Sequence, residues 1–179
     1  ITVINEQLLK PEEKAVYALR SLYSRYGYMP YKMSKFEEYD LYVRNKAFLV
    51  SDSVITFTDT NGKLMALKPD VTLSIVKNTA DTGSVQKLYY NENVYRIADG
   101  SRNFREIMQA GLECIGDLQE YDIAEVVLLA AKSLQLICPQ FVLDLSHMGL
   151  VSAVLQCSGL SAAGQATALS CLQQKNAHD

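Results

Sequence analysis

Two β-rich runs separated by a short polar loop constrain the fold of this chain more than any other feature. The stretch Tyr89–Gly116 reads YYNENVYRIADGSRNFREIMQAGLECIG, and its pattern predicts a long hairpin. Side chains two residues apart on a strand share one face of the sheet. Along the second run, Arg105, Gln109 and Glu113 therefore lie on the same side. The sequence predicts a hairpin with one unusually polar face.

A symmetric closure of the loop fixes the register of this hairpin. Arg96 then pairs with Arg105, and Glu92 faces Gln109. Gly111 lies between Gln109 and Glu113 and leaves backbone exposed, where a small ligand could approach. Two interpretations follow from spacing alone: a ligand-binding face, or an edge hairpin whose polar face is simply solvated.

Length and charge limit the class of protein. The 179 residues, half of them apolar, fit one globular domain over residues 1–179 with a substantial core. The net charge is −3, and Lys and Arg form no long run. Proteins that bind nucleic acid usually present a basic face, so RNA or DNA is not expected as the main partner.

The four cysteines form no CxxC pair, and the chain has only two histidines. We therefore expect reduced, buried thiols and no metal site. The first residues show neither a basic segment nor a long apolar run, and the longest apolar helix contains Glu125 and Lys132. The sequence thus predicts neither a signal peptide nor a membrane span. It predicts a cytoplasmic location.

Helical and strand patterns alternate along the chain. Helices are predicted from Pro11 to the stop signal at Gly27, from Pro69 to about Asn78, over Tyr121–Cys138, Met148–Cys157 and Ala162–Gln174, with a short helical piece around Glu37–Val43. Strands are predicted over Tyr28–Lys32, on both sides of the Asn61-Gly62 turn, in the long hairpin and over Phe141–Leu145. Hairpins mixed with helices indicate an α+β domain around a mainly antiparallel sheet.

A second polar element precedes the long hairpin. The segment Leu67–Lys77, LKPDVTLSIVK, runs from a strand into a helix start that presents Asp70 and Thr72. These side chains could receive a ligand ammonium, or they could merely cap the helix. Arg96 and Arg105 are planar bidentate donors suited to a phosphate or carboxylate.

The two polar elements together suit a small zwitterion such as an amino acid. Gln109 and Glu113 add acceptors for an amine or an imidazole N–H to the groups already named. The candidate binding set is Asp70, Thr72, Arg96, Gln109 and Glu113, with Arg96 and Arg105 as a candidate anion site.

From about Pro11 to Leu160 the chain resembles the catalytic core of the class II aminoacyl-tRNA synthetases, in the histidyl branch. Tyr26–Tyr42 resembles the dimer-interface motif 1, and the Leu67–Lys77 segment resembles the LRPEGT-type segment that holds the histidine amine. The Val94–Gly116 stretch resembles motif 2, and Leu143–Gly149 resembles the strand that leads out of this core. The resemblance implies a class II antiparallel sheet flanked by helices. It also implies that the residues of the candidate binding set contact histidine. It further implies that residues 27–42 form a homodimer interface.

Departures from the synthetase pattern bear on activity. Ala98 stands where the family has an acid that helps to hold ATP, and nothing in the chain matches motif 3 or the GGGRYD-like histidine motif. We therefore expect no catalytic residue and no cofactor, with ATP and magnesium relevant only to a working synthetase. We also expect a truncated core, the N-terminal part of a longer protein.

This combination resembles the synthetase-like regulatory subunits of ATP phosphoribosyltransferase in histidine biosynthesis. It implies a histidine-binding subunit that is no catalyst by itself, partnered with a catalytic subunit. The alternative is a histidyl-tRNA synthetase catalytic core, which charges tRNA with histidine at the expense of ATP. A third possibility is a synthetase paralogue that serves as an amino-acid-binding or scaffold module.

Overall fold

A computed structural model describes residues 6–44, 54–79, 83–97 and 103–173. The chain divides into two compact units, Ile1–Phe141 and Val142–Asp179. The first unit contains both sheets and the candidate binding set. The prediction of a single domain over residues 1–179 stays a prediction.

Four helices and six strands form the described part of the first unit. The helices are α1 (Pro11–Arg25), α2 (Tyr39–Arg44), α3 (Thr72–Asn78) and α4 (Glu120–Ile137), after a 3₁₀ turn at Glu6–Leu8. The strands are β1 (Met29–Pro30), β2 (Phe36–Glu38), β3 (Thr56–Thr58), β4 (Leu64–Leu67), β5 (Gln86–Ile97) and β6 (Phe104–Ile115).

Helix α1 begins and ends where the local chemistry requires. Pro11 occupies the first turn, and the Glu13 carboxylate accepts a 2.8 Å hydrogen bond from the Lys10 backbone N–H. Gly27, just beyond the helix, has φ of +81°, a conformation that favours glycine. The predicted helix from Pro11 to the Gly27 stop is confirmed.

The Asn61-Gly62 turn joins β3 and β4 as an antiparallel pair. Gly62 has φ of +80°, and the Asp59 carboxylate accepts hydrogen bonds from the Asn61 and Lys63 backbone N–H groups at 2.8 Å each. The predicted hairpin is confirmed. Strand β2 pairs with the other edge of β4, which gives a small antiparallel sheet in the order β2-β4-β3.

The main sheet has the order β1-β5-β6, with β5 and β6 antiparallel and β1 parallel to β5. Helices α1 and α4 cover one face, where Leu19, Tyr23 and Leu129 form a core with Leu112. Helix α3 covers part of the other face. The predicted α+β architecture, a mainly antiparallel sheet flanked by helices, is confirmed.

Three predicted elements differ from the structure. The helix predicted from Pro69 starts at Thr72, and the piece predicted around Glu37–Val43 divides into β2 and α2. The strand predicted over Phe141–Leu145 is wrong, because these residues are irregular and largely exposed. A buried strand needs a neighbouring strand to satisfy its backbone, and neither sheet of the described residues provides one there.

The prediction of buried thiols is also wrong, because none of the four cysteines is fully buried. Cys138 and Cys157 are exposed, whereas Cys114 and Cys171 are half-buried, and all four are free thiols. Cys138 and Cys157 lie at the ends of α4 and α5, where apolar neighbours in sequence do not guarantee cover from the rest of the fold.

The second unit contains α5 (Met148–Cys157) and α6 (Ala162–Gln173), both close to their predicted bounds. The His147 ring caps α5 by accepting a 3.1 Å hydrogen bond from the Leu150 backbone N–H. Among the described residues of both units, no helix combines the length and apolar character needed to cross a membrane.

Candidate amino-acid-binding site

The register of β5 and β6 creates the polar face that the sequence predicts. Arg96 is opposite Arg105, and Glu92 is opposite Gln109, so both predicted pairings are confirmed. Glu113 lies opposite Leu88, two pairs further along the same side. We call this side of the hairpin, with Glu92, Arg96, Arg105, Gln109 and Glu113, the polar face.

Two side-chain contacts attach the Leu67–Lys77 segment to the polar face. Arg96 Nε donates a 3.0 Å hydrogen bond to the Pro69 carbonyl. Three residues further along the chain, Thr72 Oγ1 donates a 2.6 Å hydrogen bond to Glu113 Oε1. Asp70 lies between these two anchors. The structure thus brings together four of the five residues of the candidate binding set.

Asp70 has a structural role of its own. Its Oδ1 accepts a 3.1 Å hydrogen bond from the Leu73 backbone N–H in the first turn of α3. The capping alternative is therefore correct for this oxygen. A carboxylate has four lone-pair sites, so the cap leaves Asp70 with capacity to accept from a ligand ammonium.

Burial raises the pKa of Glu113, and the nearby Asp70 carboxylate raises it further. The hydrogen bond from Thr72 opposes this shift by stabilising the ionised form. Two carboxylates in one partly buried place repel each other and favour a cationic ligand between them. A ligand ammonium would displace the proton that Glu113 retains more tightly than an exposed glutamate.

Tyr90 is a site residue that the sequence interpretation missed. A Cβ at Gly111 would lie 2.6 Å from the Tyr90 hydroxyl oxygen, so the ring packs over Gly111, its cross-strand partner. The exposed backbone expected at Gly111 is thus covered by an aromatic side chain. Burial, with the Glu113 and Asp70 charges, raises the pKa of Tyr90 to about 12. An aromatic residue opposite a strand glycine was the available signal.

The remaining predicted site residues are less engaged. Gln109 is half-buried on the polar face, whereas Arg105 is exposed. Arg105 and Arg96 form a like-charge cross-strand pair, an arrangement that an anion would relieve. The candidate anion site therefore has its two cations opposite each other. Ala98, Gly100 and Ser101 lie outside the described residues.

A buried ion pair is the second feature that the sequence interpretation missed. Lys68 Nζ lies 3.0 Å from Glu92 Oε2, and the lysine side chain is fully buried. Lys68 directly precedes Pro69 and Asp70, and Glu92 belongs to the polar face. The sequence offered only a weak signal for this pair, namely a lysine followed by proline just before the capping residue Asp70.

The acceptors of the candidate site, on Asp70, Thr72 and Glu113, lie together, and Arg96 contacts the Pro69 carbonyl just before them. The family profile described as "Histidyl-tRNA synthetase" matches residues 4–179. The chain belongs to the histidyl-tRNA synthetase family. The class II fold and the segments interpreted as motifs 1 and 2 are consistent with this membership.

Relatives of the chain carry two different names within this family. An ATP phosphoribosyltransferase regulatory subunit of Oceanobacillus iheyensis is 27% identical over 98% of the chain and 44% of its own length. A histidine–tRNA ligase of Methanocaldococcus jannaschii is 32% identical over 77% of the chain and 34% of its own length. The chain thus spans less than half the length of these relatives.

Solved structures show the same fold. A protein described as an ATP phosphoribosyltransferase regulatory subunit/histidyl-tRNA synthetase from Bacillus halodurans has a TM-score of 0.66 and 24% identity, over 91% of this chain and 44% of the other. The ATP phosphoribosyl transferase (HisG:HisZ) complex from Thermotoga maritima contains a chain with a TM-score of 0.63 and 19% identity, over 91% and 56%. At these identities the likeness shows the fold alone.

Proposed function

We propose that the protein is a regulatory subunit of ATP phosphoribosyltransferase, without catalytic activity of its own, that binds histidine on the polar face. The observation that carries this proposal is the relative from Oceanobacillus iheyensis, which aligns over nearly the whole chain and bears that name. A second regulatory subunit, from Ruminiclostridium cellulolyticum, is 25% identical over 80% of the chain. We place the protein in the cytoplasm, where this biosynthetic step would occur.

The contacts of the site support an amino-acid ligand. Asp70 and Thr72 supply acceptors where an α-ammonium fits, and Glu113, hydrogen-bonded to Thr72, would complete this cage or accept from the imidazole. Arg96, which contacts the Pro69 carbonyl, suits the carboxylate. Gln109, half-buried between them, would contribute to the ammonium or the imidazole.

The lack of an ATP-holding acid supports a role without adenylate chemistry. Ala98 occupies the position of that acid in the synthetase pattern, and a methyl group cannot accept a hydrogen bond or coordinate magnesium. The test is ATP–pyrophosphate exchange with histidine on the full-length protein. We expect no exchange, and measurable histidyl-adenylate formation would instead support the alternative below.

The alternative is a histidyl-tRNA synthetase catalytic core. The observation in its favour is the archaeal histidine–tRNA ligase, the relative with 32% identity. Exchange activity together with charging of tRNA would establish it. Histidine binding without exchange and without a phosphoribosyltransferase partner would instead indicate the third possibility, an amino-acid-binding or scaffold module.

The partner proposed for this protein is the catalytic subunit of ATP phosphoribosyltransferase. The complex from Thermotoga maritima pairs two differently named subunits, and one of its chains shares the fold of this protein. Co-expression of the full-length protein with a short-form catalytic subunit tests the proposal. We expect a stable complex on size exclusion and a phosphoribosyltransferase activity that histidine inhibits.

A homodimer through residues 27–42 is also proposed. The tyrosines that suggested it do not all face outward, because Tyr28 and Tyr42 are each only 1% exposed and pack within the chain. Met29 and Phe36 are the large apolar residues that this region exposes. Substitution of both by Ser should shift the protein toward monomer in sedimentation if this surface is the interface.

A further inference from the structure

The Lys68–Glu92 ion pair is unusual because its lysine side chain is fully buried, although neither residue belongs to the candidate binding set. The Lys68 side chain is 0% exposed and that of Glu92 17%, with 3.0 Å between Nζ and Oε2. Lysine is almost never fully buried unless it is paired, as Lys68 is here. Removing two charges from water is costly, and an apolar pair is often at least as stable. Stability alone therefore does not explain the pair.

The location of the pair connects it to the candidate binding set. Lys68 belongs to the loop that carries Asp70, and its carbonyl accepts a 2.9 Å hydrogen bond from the Tyr95 backbone N–H. Arg96 Nε donates to the next carbonyl, that of Pro69. With the ion pair to Glu92, three contacts fasten two consecutive residues to β5. Asp70 follows directly, so its position depends on them.

The hydrogen bonds to the loop carbonyls and the ion pair restrict the loop differently. The two hydrogen bonds fix carbonyl groups near one end of β5, at residues 95 and 96. Glu92 lies three to four residues earlier on β5, so the ion pair holds the lysine side chain against the polar face. This second point of attachment resists rotation of the loop, and such rotation would carry Asp70 and Thr72 away from Glu113.

We propose that Lys68 and Glu92 are positioning residues, which hold Asp70 and Thr72 against the polar face and so set the affinity of the site without contacting the ligand. The identity of the ligand, histidine, rests on the proposed function. The positioning itself does not, because it concerns the distance between the loop and Glu113 in the free protein.

The test replaces both charges with isosteres in the full-length protein, as Lys68→Met/Glu92→Gln. The double change leaves no buried charge unpaired. We expect a folded protein with melting temperature near that of wild type and histidine affinity weakened about tenfold by calorimetry, or about 1.4 kcal/mol. The matched control makes the same substitutions in the exposed pair Lys63–Glu38, at 2.6 Å, as Lys63→Met/Glu38→Gln, and should bind normally.

A ligand-free measurement separates this proposal from the proposed function. Carboxyl NMR reports the pKa of Glu113, which Thr72 and Asp70 both influence. If the pair positions the loop, this pKa moves in the double variant and not in the Lys63–Glu38 control. If the Glu113 pKa moves in the double variant while the protein binds no histidine, the positioning role is supported and histidine is not the ligand.

Two results would overturn the positioning role. One is a folded double variant with unchanged histidine affinity and unchanged Glu113 pKa. The other is a double variant that does not fold, because the pair would then hold the domain together and not the site. Lys68→Arg keeps the charge and should retain both the affinity and the Glu113 pKa of wild type. Loss of affinity in this conservative variant would also count against the proposal.

Discussion

Thr72 donates a 2.6 Å hydrogen bond to Glu113, and this contact joins the start of α3 to a strand 41 residues further along the chain. Thr72 is exposed, so the contact lies at the solvent edge of the polar face. It aligns a hydroxyl and a carboxylate as neighbouring acceptors for one cation.

Glu113→Gln should weaken histidine binding about tenfold or more. A charge-assisted contact is worth about 1.5–3 kcal/mol, and the substitution removes the charge while it keeps the shape. The fold should remain intact, since neutral glutamine suits a site that already raises the pKa of the carboxyl. Calorimetric titration of the full-length protein measures the change.

Glu106→Gln is the matched control for this substitution. Glu106 lies on the same strand but faces away from the polar face, where it accepts hydrogen bonds from Asn93 and Tyr95. Histidine affinity should be unaffected there. Equal affinity in wild type and Glu113→Gln would show that the polar face is an inherited remnant and not a site.

Thr72→Val should raise the pKa of Glu113 above its wild-type value. The Thr72 hydroxyl stabilises the ionised carboxylate, and valine has the same shape without the donor. Thr72→Ser, which keeps the hydroxyl, should leave the pKa near that of wild type. Carboxyl NMR titration of both variants checks the prediction, and equal values in valine and serine variants would contradict it.

Asp70→Asn and Asp70→Ala should separate capping from binding. Asparagine retains an oxygen that can accept from Leu73, so thermal stability should hold, while loss of the charge weakens histidine binding. Alanine removes both roles and should also cost about 1 kcal/mol of stability. Thermal melts and calorimetry measure the two effects. Normal binding by Asp70→Asn would leave capping as the only role of this residue.

Gly111→Ala should destabilise the protein by about 1–3 kcal/mol, the usual range for overpacking. The new methyl would meet the Tyr90 ring, whose hydroxyl oxygen lies 2.6 Å from the ideal Cβ position. In a Tyr90→Ala background the same change should cost less, because the obstacle is gone. Chemical denaturation of the four proteins of this cycle gives the coupling energy, and strict additivity would argue against the contact.

The raised pKa of Glu113 predicts opposite pH trends for stability and for binding. The folded state binds this proton more tightly than the unfolded state, so the stabilisation is present below the ordinary pKa and is lost as pH rises through the raised pKa. Histidine affinity should instead fall on acidification, because the ammonium needs the ionised carboxylate. Denaturation and calorimetry between about pH 4 and pH 7 test both trends. Glu113→Gln should show neither contribution.

Local patterns in the sequence determined most of the elements of this protein. Strand alternation and a symmetric loop were sufficient to predict the β5–β6 register, because a register fixes every side chain on one face or the other. Glycine at the turn in Asn61-Gly62 and after α1 acted through backbone conformation, which is also local. The same spacing placed Arg96, Gln109 and Glu113 on one face.

The tertiary structure alone decided which groups meet across that face. The contact of Thr72 with Glu113 and the burial of Lys68 against Glu92 each depend on how the loop before α3 crosses β5 and β6. The strand predicted at Phe141–Leu145 did not form because a strand also needs a pairing partner, which its own residues do not specify. Burial and hydrogen bonding between distant segments depend on which surfaces pack together, and local propensity carries no information about a partner far away in the chain.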